Sequence, residues 1–480
     1  MQKIDNYING ELVAPRQARY IDNHNPATGQ VYSQVANSSA SDLEDAIVAA
    51  SEAYPAWSSS SNDERSGLLR ELANEVTIQL ESLALAEAID TGKPLALAKS
   101  VDIPRAASNL QFFANAITQY SSQSHSMGDL GLNYTLRDPL GIVACISPWN
   151  LPLYLFTWKI APALAAGNCV VAKPSEISPM TAYLFAKICS KVGLPKGVLS
   201  ILHGTGSDIG AQLCTHEAVK AISFTGGTQT GATIASSVAA NFKKVSLELG
   251  GKNPCLVFAD SHLEEAADQV VRAAFTNQGQ ICLCASRIYV EKMVYDEFTE
   301  LLTSKASKLR VGDPLDEKTQ MGALISASHM QKVQSYVSKA VDEGAKVLLG
   351  GSSLKPSGRC SQGSFFEPTI LSNVAQQSCV NQEEIFGPVI TLQSFSGEEE
   401  ALQLANDSKY GLSASIWSQD ISRCHRLAKK IEAGIVWINS WMLRDLRTPF
   451  GGYKSSGLGR EGGFEALNFF TQSKNVCIKY

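Results

Sequence analysis

Short, continuously apolar runs recur from residue 141 onward, at 141–146, 169–173, 198–203, 221–224 and 245–248, with helical stretches between them. Strands that are apolar on both faces and alternate with helices predict a parallel, doubly wound sheet, which binds ligands at the carboxyl ends of its strands. The helix between the second and third runs carries its own punctuation: Ser178 as N-cap, Pro179 in the first turn, Gly193 past the last turn and Pro195 beyond. Ahead of this region, Ser41 and Glu44 form a capping box for a helix with Leu43, Ile47, Ala50 and Tyr54 on one face, and Ser51 to Asn62 reads as a polar turn. A stretch rich in Ser and Gly at 121–133 interrupts the helical pattern, and Tyr134 to Arg137 reads as a short strand before Asp138-Pro139. After Pro254 a second strand and helix pattern begins, with a capping box at Ser261 and Glu264 and apolar Leu263, Ala267, Val270, Val271 and Ala274. The fold class is therefore α/β, with no internal repeat.

Composition narrows the function. At roughly 150 residues per domain, 480 residues predict about three units. Charged residues make up 18%, below the roughly 25% usual for soluble proteins, as when surface is buried inside the molecule or between subunits. The 46 acidic and 41 basic side chains leave −5 with no block of like charge. That gives no footprint for nucleic acid or an anionic membrane and leaves a small molecule as the expected partner. The 11 cysteines are odd in number and irregularly spaced, which reads as reduced thiols in the cytoplasm. Asp5 and Glu11 near the start leave no apolar signal segment, and the apolar stretch 151–172 is broken by Pro152, Lys159, Pro162 and Asn168. A soluble cytoplasmic enzyme is expected. The seven histidines are far apart, with neither His-Glu-x-x-His nor Gly-x-Ser-x-Gly, against a zinc protease or an α/β-hydrolase. Cys282 and Cys284 have no second ligand pair nearby, so no metal is expected.

Several segments carry candidate chemistry, each with a plainer reading beside it. Gly226 to Gly231 follows a strand ending at Phe224 and opens a helix, where free amides can meet a phosphate; it is otherwise an ordinary turn. Gly204-Thr205-Gly206 with Gly210 resembles a dinucleotide fingerprint with one residue too many, and reads more simply as a tight turn. Lys173-Pro174-Ser175-Glu176 lies at a strand's carboxyl end. A carboxylate there either accepts both ribose hydroxyls of an adenosine, favouring NAD over NADP, or is a solvated loop charge. Cys282 sits in a Gly-containing loop past a helix, whereas most cysteines are inert core residues. Glu248 closes a strand beside Leu249-Gly250-Gly251, and its plain reading is a surface glutamate.

Taken together, Pro148-Trp149-Asn150-Leu151-Pro152, Phe224-Thr225-Gly226, Glu248-Leu249-Gly250-Gly251-Lys252, Gly279-Gln280-Ile281-Cys282, Glu383-Glu384-Ile385-Phe386-Gly387-Pro388 and Pro449-Phe450-Gly451-Gly452 resemble the aldehyde dehydrogenase superfamily, collinearly over nearly the whole chain. Asp102-Ile103-Pro104-Arg105 and Arg444-Asp445-Leu446-Arg447-Thr448-Pro449 resemble the branch acting on 2-aminomuconate and 2-hydroxymuconate semialdehydes.

The resemblance implies a Rossmann-type NAD-binding domain at 1–119 and 139–250 and a catalytic domain at 251–455. A small β arm at 120–138 and 456–480 would bridge subunits of a homodimer or homotetramer. It implies Cys282 as nucleophile, with Asn150 and the Cys282 N–H holding the oxyanion, and Glu248 as base for water in thioester hydrolysis. CoA-acylating relatives lack that glutamate, so a free acid is the expected product. Implied contacts to NAD are Ile146, Pro148, Trp149, Lys173, Ser175, Glu176, Phe224, Gly226, Gly227, Leu249, Glu384 and Phe386. Two positions depart from the family's common pattern: Gly227 stands where Ser is frequent, and Ala285 where Gly is. For substrate, Arg105 and Arg444 would clamp a carboxylate, with Phe450 beside them, or else form surface ion pairs. Tyr154, Trp158 and Trp441 are either walls for a planar chain or core. The expected activity is NAD-dependent oxidation of a carboxylated semialdehyde to the dicarboxylic acid. A broad aliphatic or betaine-type aldehyde dehydrogenase is the alternative enzyme, and a catalytically silent binding or structural protein the alternative of another class.

Overall fold

The five apolar runs fold as the parallel strands Ile142–Ile146, Cys169–Lys173, Leu199–Ile201, Val219–Thr225 and Lys244–Glu248. The computed structural model describes residues 1–480. Across the sheet the order is Lys244–Glu248, Val219–Thr225, Ile142–Ile146, Cys169–Lys173 and Leu199–Ile201, with antiparallel Gly457–Leu458 on one edge and Asn6–Ile8 and Glu11–Val13 on the other. The chain builds outward from Ile142–Ile146 in one direction, then returns to its opposite side. Such a reversal splits the connections above and below the sheet and opens a crevice at the carboxyl ends of the two central strands. The loops after Ile146 and Thr225 line that crevice.

A second sheet runs in the order Lys346–Leu349, Thr369–Ser372, Val389–Phe395, Ala285–Glu291, Asn253–Val257, Ser413–Trp417 and Ile435–Ile438, parallel except at its first pairing. One continuous apolar core joins residues of both sheets, so the crevice has a packed wall on each side. Standing apart, Thr471–Lys479 pairs antiparallel with Gly131–Pro139, which also pairs with Ser124–Ser126. The short strand expected at 134–137 is thus the middle of a longer one. Gly457–Leu458 joins the first sheet, beside Lys244–Glu248, rather than this arm. No helix is long and apolar enough to cross a membrane.

Helix ends differ from expectation where the capping group comes from elsewhere. The first long helix is Ala40–Ser59, capped at Ser39 rather than Ser41. Asp42 is buried and accepts from the Ser39 N–H at 2.7 Å and the Arg16 N–H at 2.8 Å, whereas Glu44 faces outward to His216. Ser51 to Ser59 is helical, not a turn, despite Pro55. Trp57 is buried and ties that end down, and the hydroxyls of Ser59 and Ser60 satisfy the carbonyls of Pro55 and Trp57 at 2.8 and 2.6 Å. The helix beginning at Leu263 takes His262 as N-cap, while Ser261 turns its hydroxyl to the Phe258 carbonyl at 2.7 Å. The helix Met180–Val192 ends at left-handed Gly193 as expected but starts without Ser178. Its first amide, Met180 N–H, donates instead to the fully buried Asp90 at 2.7 Å. Asp90 also accepts from Asn23 Nδ2 at 2.8 Å and from the Tyr32 hydroxyl. Asp90→Ala leaves the buried Met180 N–H and the Tyr32 hydroxyl without this acceptor, whereas Asn23 Nδ2 keeps Ser33 Oγ at 3.1 Å, and we expect it to lower stability by roughly 1–3 kcal/mol, read as a lower urea midpoint than that of the native chain.

Candidate active site

Asn150 stands on the short link between the strand Ile142–Ile146 and the helix Pro152–Ala165, whose first residue is a proline suited to that position. Its main-chain carbonyl accepts from Lys93 Nζ at 2.9 Å and Asn277 Nδ2 at 3.1 Å. Its side-chain Nδ2 donates to the Gln280 carbonyl at 2.9 Å, leaving one N–H without an acceptor. The side chain is therefore aimed at the loop of the other sheet.

That loop follows the helix Leu263–Phe275, which is broken by three consecutive left-handed residues, Asn277 (φ 52°), Gln278 (φ 57°) and Gly279 (φ 72°). Left-handed backbone at Asn and Gln stores strain that neighbouring contacts must hold. Gln278 and Gln280 supply them, through the Gly322 and Ile325 amides and the Ala323 carbonyl, and a side chain at Gly279 would collide with the Gly387 carbonyl. Cys282 emerges from this braced turn half-buried. Its carbonyl accepts from Asn253 Nδ2 at 2.7 Å, and its own N–H has no acceptor. Two N–H donors, one on Asn150 and one on Cys282, are thus without an acceptor, and both residues line one cavity.

Glu248 ends its strand buried, and neither carboxylate oxygen has a hydrogen-bond partner. A side-chain carbon at Gly451 would lie 2.9 Å from Oε1, so the carboxyl is packed against that backbone. Burial raises its pKa well above the ordinary carboxylate value and Glu461 adds to the shift, while Lys159, Arg460 and Arg444 oppose it. Burial likewise raises the Cys282 thiol; Glu384 and Glu248 push the same way and Arg444 opposes them. Burial thus favours the protonated form of both groups. Each becomes reactive by losing a proton.

A cavity of about 240 Å³ contains Cys282 and Asn150 together with Pro148, Trp149, Gly226, Gly227, Leu249, Glu384 and Phe386. It is lined by no other cysteine. Glu384 accepts from the Gly251 N–H at 2.9 Å, and burial pushes its carboxyl up to about 7. Of the other cofactor candidates, Ile146 is buried at its strand end, and Phe224 lies under Gly226, where any side chain would strike its ring. Lys173, Ser175 and Glu176 sit at the end of the adjacent strand, outside the cavity, with Lys173 Nζ 3.1 Å from Glu176. The helix Thr228–Val238 opens at Gly227 with no side-chain cap and open space at that glycine, and the buried Thr225 hydroxyl has no partner. Uncapped amides, an orphaned hydroxyl and glycine backbone make a cradle that fits a pyrophosphate.

His329 and Lys332 also line the cavity and were not anticipated. They lie on the helix Ala327–Asp342, and His329 Nε2 hydrogen-bonds the Phe386 carbonyl at 2.7 Å while Trp149 meets both rings edge-on. No local motif marks them.

Arg105, Arg444 and Phe450 lie outside this cavity. The Arg444 guanidinium stacks 4.2 Å from the Phe450 ring centre and 5.6 Å from that of Trp158, and Nη1 donates to the Tyr154 hydroxyl at 2.9 Å. Arg105 lies over the other part of Tyr154, 5.8 Å from its ring centre. Neither arginine forms an ion pair within the chain. Tyr154, Trp158 and Trp441 are all buried, and Trp441 donates to the Leu283 carbonyl at 2.9 Å.

The sequence profile of the aldehyde dehydrogenase family matches residues 12–476. The chain is 48% identical to the 2-aminomuconic semialdehyde dehydrogenase of Mus musculus, over 99% of this chain and 98% of that protein. It is 44% identical to the 2-hydroxymuconic semialdehyde dehydrogenase of Pseudomonas sp. (strain CF600), over 100% of both. A crystal structure of betaine aldehyde dehydrogenase from Staphylococcus aureus in complex with NAD+ superposes with a TM-score of 0.95 at 37% identity, over 99% of this chain and 94% of that one. With the profile matched almost end to end and relatives this similar over their full lengths, the chain belongs to the aldehyde dehydrogenase family.

Proposed function

We propose that the chain carries out NAD-dependent oxidation of a carboxylated semialdehyde, of the 2-aminomuconate or 2-hydroxymuconate 6-semialdehyde kind, to the dicarboxylic acid through a thioester that water hydrolyses. The observation that carries this reading is the placement of one half-buried thiol, Cys282, in one cavity with free N–H donors, with the unpartnered Glu248 carboxyl and the Arg444 charge acting on it. The names of the relatives support the substrate class. So do two guanidinium groups with no carboxylate partner of their own, which an uncharged or cationic aldehyde would leave unused.

Chemically, the Cys282 thiol gives its proton to water or buffer base, and the thiolate forms a C–S bond to the aldehyde carbon while the carbonyl π electrons move to oxygen. The free N–H of Asn150 and that of Cys282 stabilise the oxyanion. NAD, when bound, supplies the acceptor for the hydride that leaves this carbon. The cradle at Gly226 and Gly227 would hold its pyrophosphate. Pro148, Trp149, Leu249, Glu384 and Phe386 would line its path toward Cys282, above Ile146 and Phe224. Lys173, Ser175 and Glu176 would meet the adenosine ribose. Glu248 then takes a proton from water as hydroxide attacks the thioester carbon, the C–S bond breaks, and the acid leaves with the sulfur as thiolate. We also assign to the arm strands Thr471–Lys479 and Gly131–Pro139 the pairing that joins subunits into a dimer or tetramer, because the outer backbone edge of Thr471–Lys479 is unpaired in the chain.

Glu248→Gln should leave a stoichiometric burst of NADH followed by turnover slowed by about 10²–10⁴, restored in part by hydroxylamine as an alternative nucleophile; loss of the burst would place Glu248 in the earlier step. Because burial raises both Glu248 and Cys282, their deprotonated forms accumulate only as pH rises. Native kcat is therefore expected to climb as pH rises above neutral, measured at saturating aldehyde. Arg444→Ala should raise KM for a carboxylated semialdehyde by about 10²-fold while leaving that for hexanal near native. An equal effect on both would remove the carboxylate clamp from the mechanism.

A further inference from the structure

Two arginines brought to one place repel unless something separates or neutralises them, and here the object between them is a tyrosine. Arg444 comes from the loop after Ile435–Ile438, and Arg105 from the helix Ile103–Thr118. Both converge on Tyr154, in the first turn of Pro152–Ala165 and four residues beyond Asn150, which stands on the link before that helix. The phenol is fixed. Tyr154 is 2% exposed, and its carbonyl accepts from Asn109 Nδ2 at 2.9 Å and Thr157 Oγ1 at 3.1 Å. Asn109 lies one turn beyond Arg105 on the same helix, so this contact ties the Tyr154 backbone to the helix that carries Arg105.

The hydrogen-bond balance at the hydroxyl is incomplete in a directed way. Tyr154 Oη accepts from Arg444 Nη1 at 2.9 Å, and it makes no other hydrogen bond in the chain. Its own O–H proton therefore has no acceptor. A guanidinium carries five N–H donors; Arg444 uses one of them here, and Arg105 none. Asp445, the anion whose pKa Arg105 helps to lower, is itself held by Arg447 at 2.6 Å. What this group lacks is an acceptor with negative charge and two oxygens. The incoming chain would enter past Phe450 and Trp158, which already flank Arg444.

Resting on the reading of a carboxylated substrate, we propose that Tyr154 is a specificity-determining residue: its hydroxyl accepts from Arg444 and donates its own proton to the substrate carboxylate, while its ring face carries Arg105. Because Tyr154 and Asn150 share one helix start, the phenol also sets the separation between the carboxylate end and the aldehyde end. Chains of the wrong length then reach only one of the two.

Tyr154→Phe keeps the ring and removes the hydroxyl. Its KM for a carboxylated semialdehyde is expected to rise by about 10- to 100-fold, with kcat and KM for hexanal unchanged. Affinity of the resting enzyme for muconate, a dicarboxylate probe, should fall by a similar factor in isothermal titration calorimetry. Tyr154→Leu, which also removes the ring face under Arg105, should weaken muconate further. If Tyr154→Leu binds muconate no more weakly than Tyr154→Phe, the ring contact has no part in recognition. Equal losses with both aldehydes would mark Tyr154 as structural and overturn the proposal. Should Arg444→Ala raise the carboxylated substrate's KM while Tyr154→Phe leaves KM and muconate affinity native, the role of Tyr154 is excluded and the clamp stands. Should Arg444→Ala itself change nothing, the carboxylate reading fails first.

Discussion

Asn150 and Asn277 stitch the cofactor-side sheet to the loop of the second sheet, and every other feature of the site is positioned relative to that seam. The Asn150 carbonyl takes donors from Asn277 and Lys93, while the Asn150 amide reaches the Gln280 carbonyl two residues ahead of Cys282. Lys93 is wholly buried with Glu87, 3.3 Å away, and with Asp102, and burial raises the Glu87 carboxyl. Burying three ionisable groups is expensive, and such a cluster is poor evidence for stability. Its geometry is what the fold retains: Lys93 holds Asn150 O at 2.9 Å, and Glu87 takes the Leu153 amide at 3.3 Å. The link on which Asn150 stands is thereby held at both ends. The left-handed run at Asn277 to Gly279 is the matching constraint on the Cys282 side, and neither half would stay in place without the other.

The dielectric consequence of that seam is a site whose acids are all shifted toward their neutral forms. Glu248, Glu384 and the Cys282 thiol are all raised by burial, and the nearby acids reinforce the shift at Glu248 and Cys282. The opposing charges come from Lys159, Arg460 and Arg444 for Glu248. For Cys282, Arg444 is the one that opposes. A neutral glutamic acid without hydrogen bonds can keep its proton in apolar surroundings and still lose it to bulk base as pH rises. A thiol shifted toward its protonated form is also a weaker nucleophile until its proton is removed.

Much of this was legible in the sequence, and the exceptions share one cause. The parallel strands appeared at nearly their true bounds because continuous apolar runs are a local signal of burial on both faces. The cap at Met180 was misplaced because its acceptor, Asp90, lies on another helix; Asp42 owes its burial partly to the Arg16 amide. The strained turn ahead of Cys282 uses Asn277 and Gln278 where glycine would announce it. His329 and Lys332 reach the cavity from a helix with no marking motif. Tyr154 read equally well as wall or core, because its bond to Arg444 joins residues far apart in the chain. Local pattern reports burial and turn chemistry, whereas a hydrogen bond between remote elements leaves no periodic trace.

The two sides of Cys282 are built from different materials, and that division explains how one frame admits different aldehydes. On one side lie glycine backbone, helix amides and buried acids, most of them belonging to the shared family motifs and packed against both sheets. On the other lie Arg105, Arg444, Phe450 and Tyr154, supplied by a helix face, a loop and the start of Pro152–Ala165. Substitution of a guanidinium on the second side alters a pairing with substrate and leaves the Asn150 to Cys282 seam untouched, since none of its hydrogen bonds passes through either arginine. Substitution at Asn150 or Gly279 disturbs both sides at once. Specificity can therefore drift on this frame with the Asn150 to Cys282 hydrogen bonds intact, and the two sides are coupled at two places: the Arg444 charge, which acts on Cys282 and Glu248, and the start of Pro152–Ala165, which carries Tyr154 just after the link that holds Asn150.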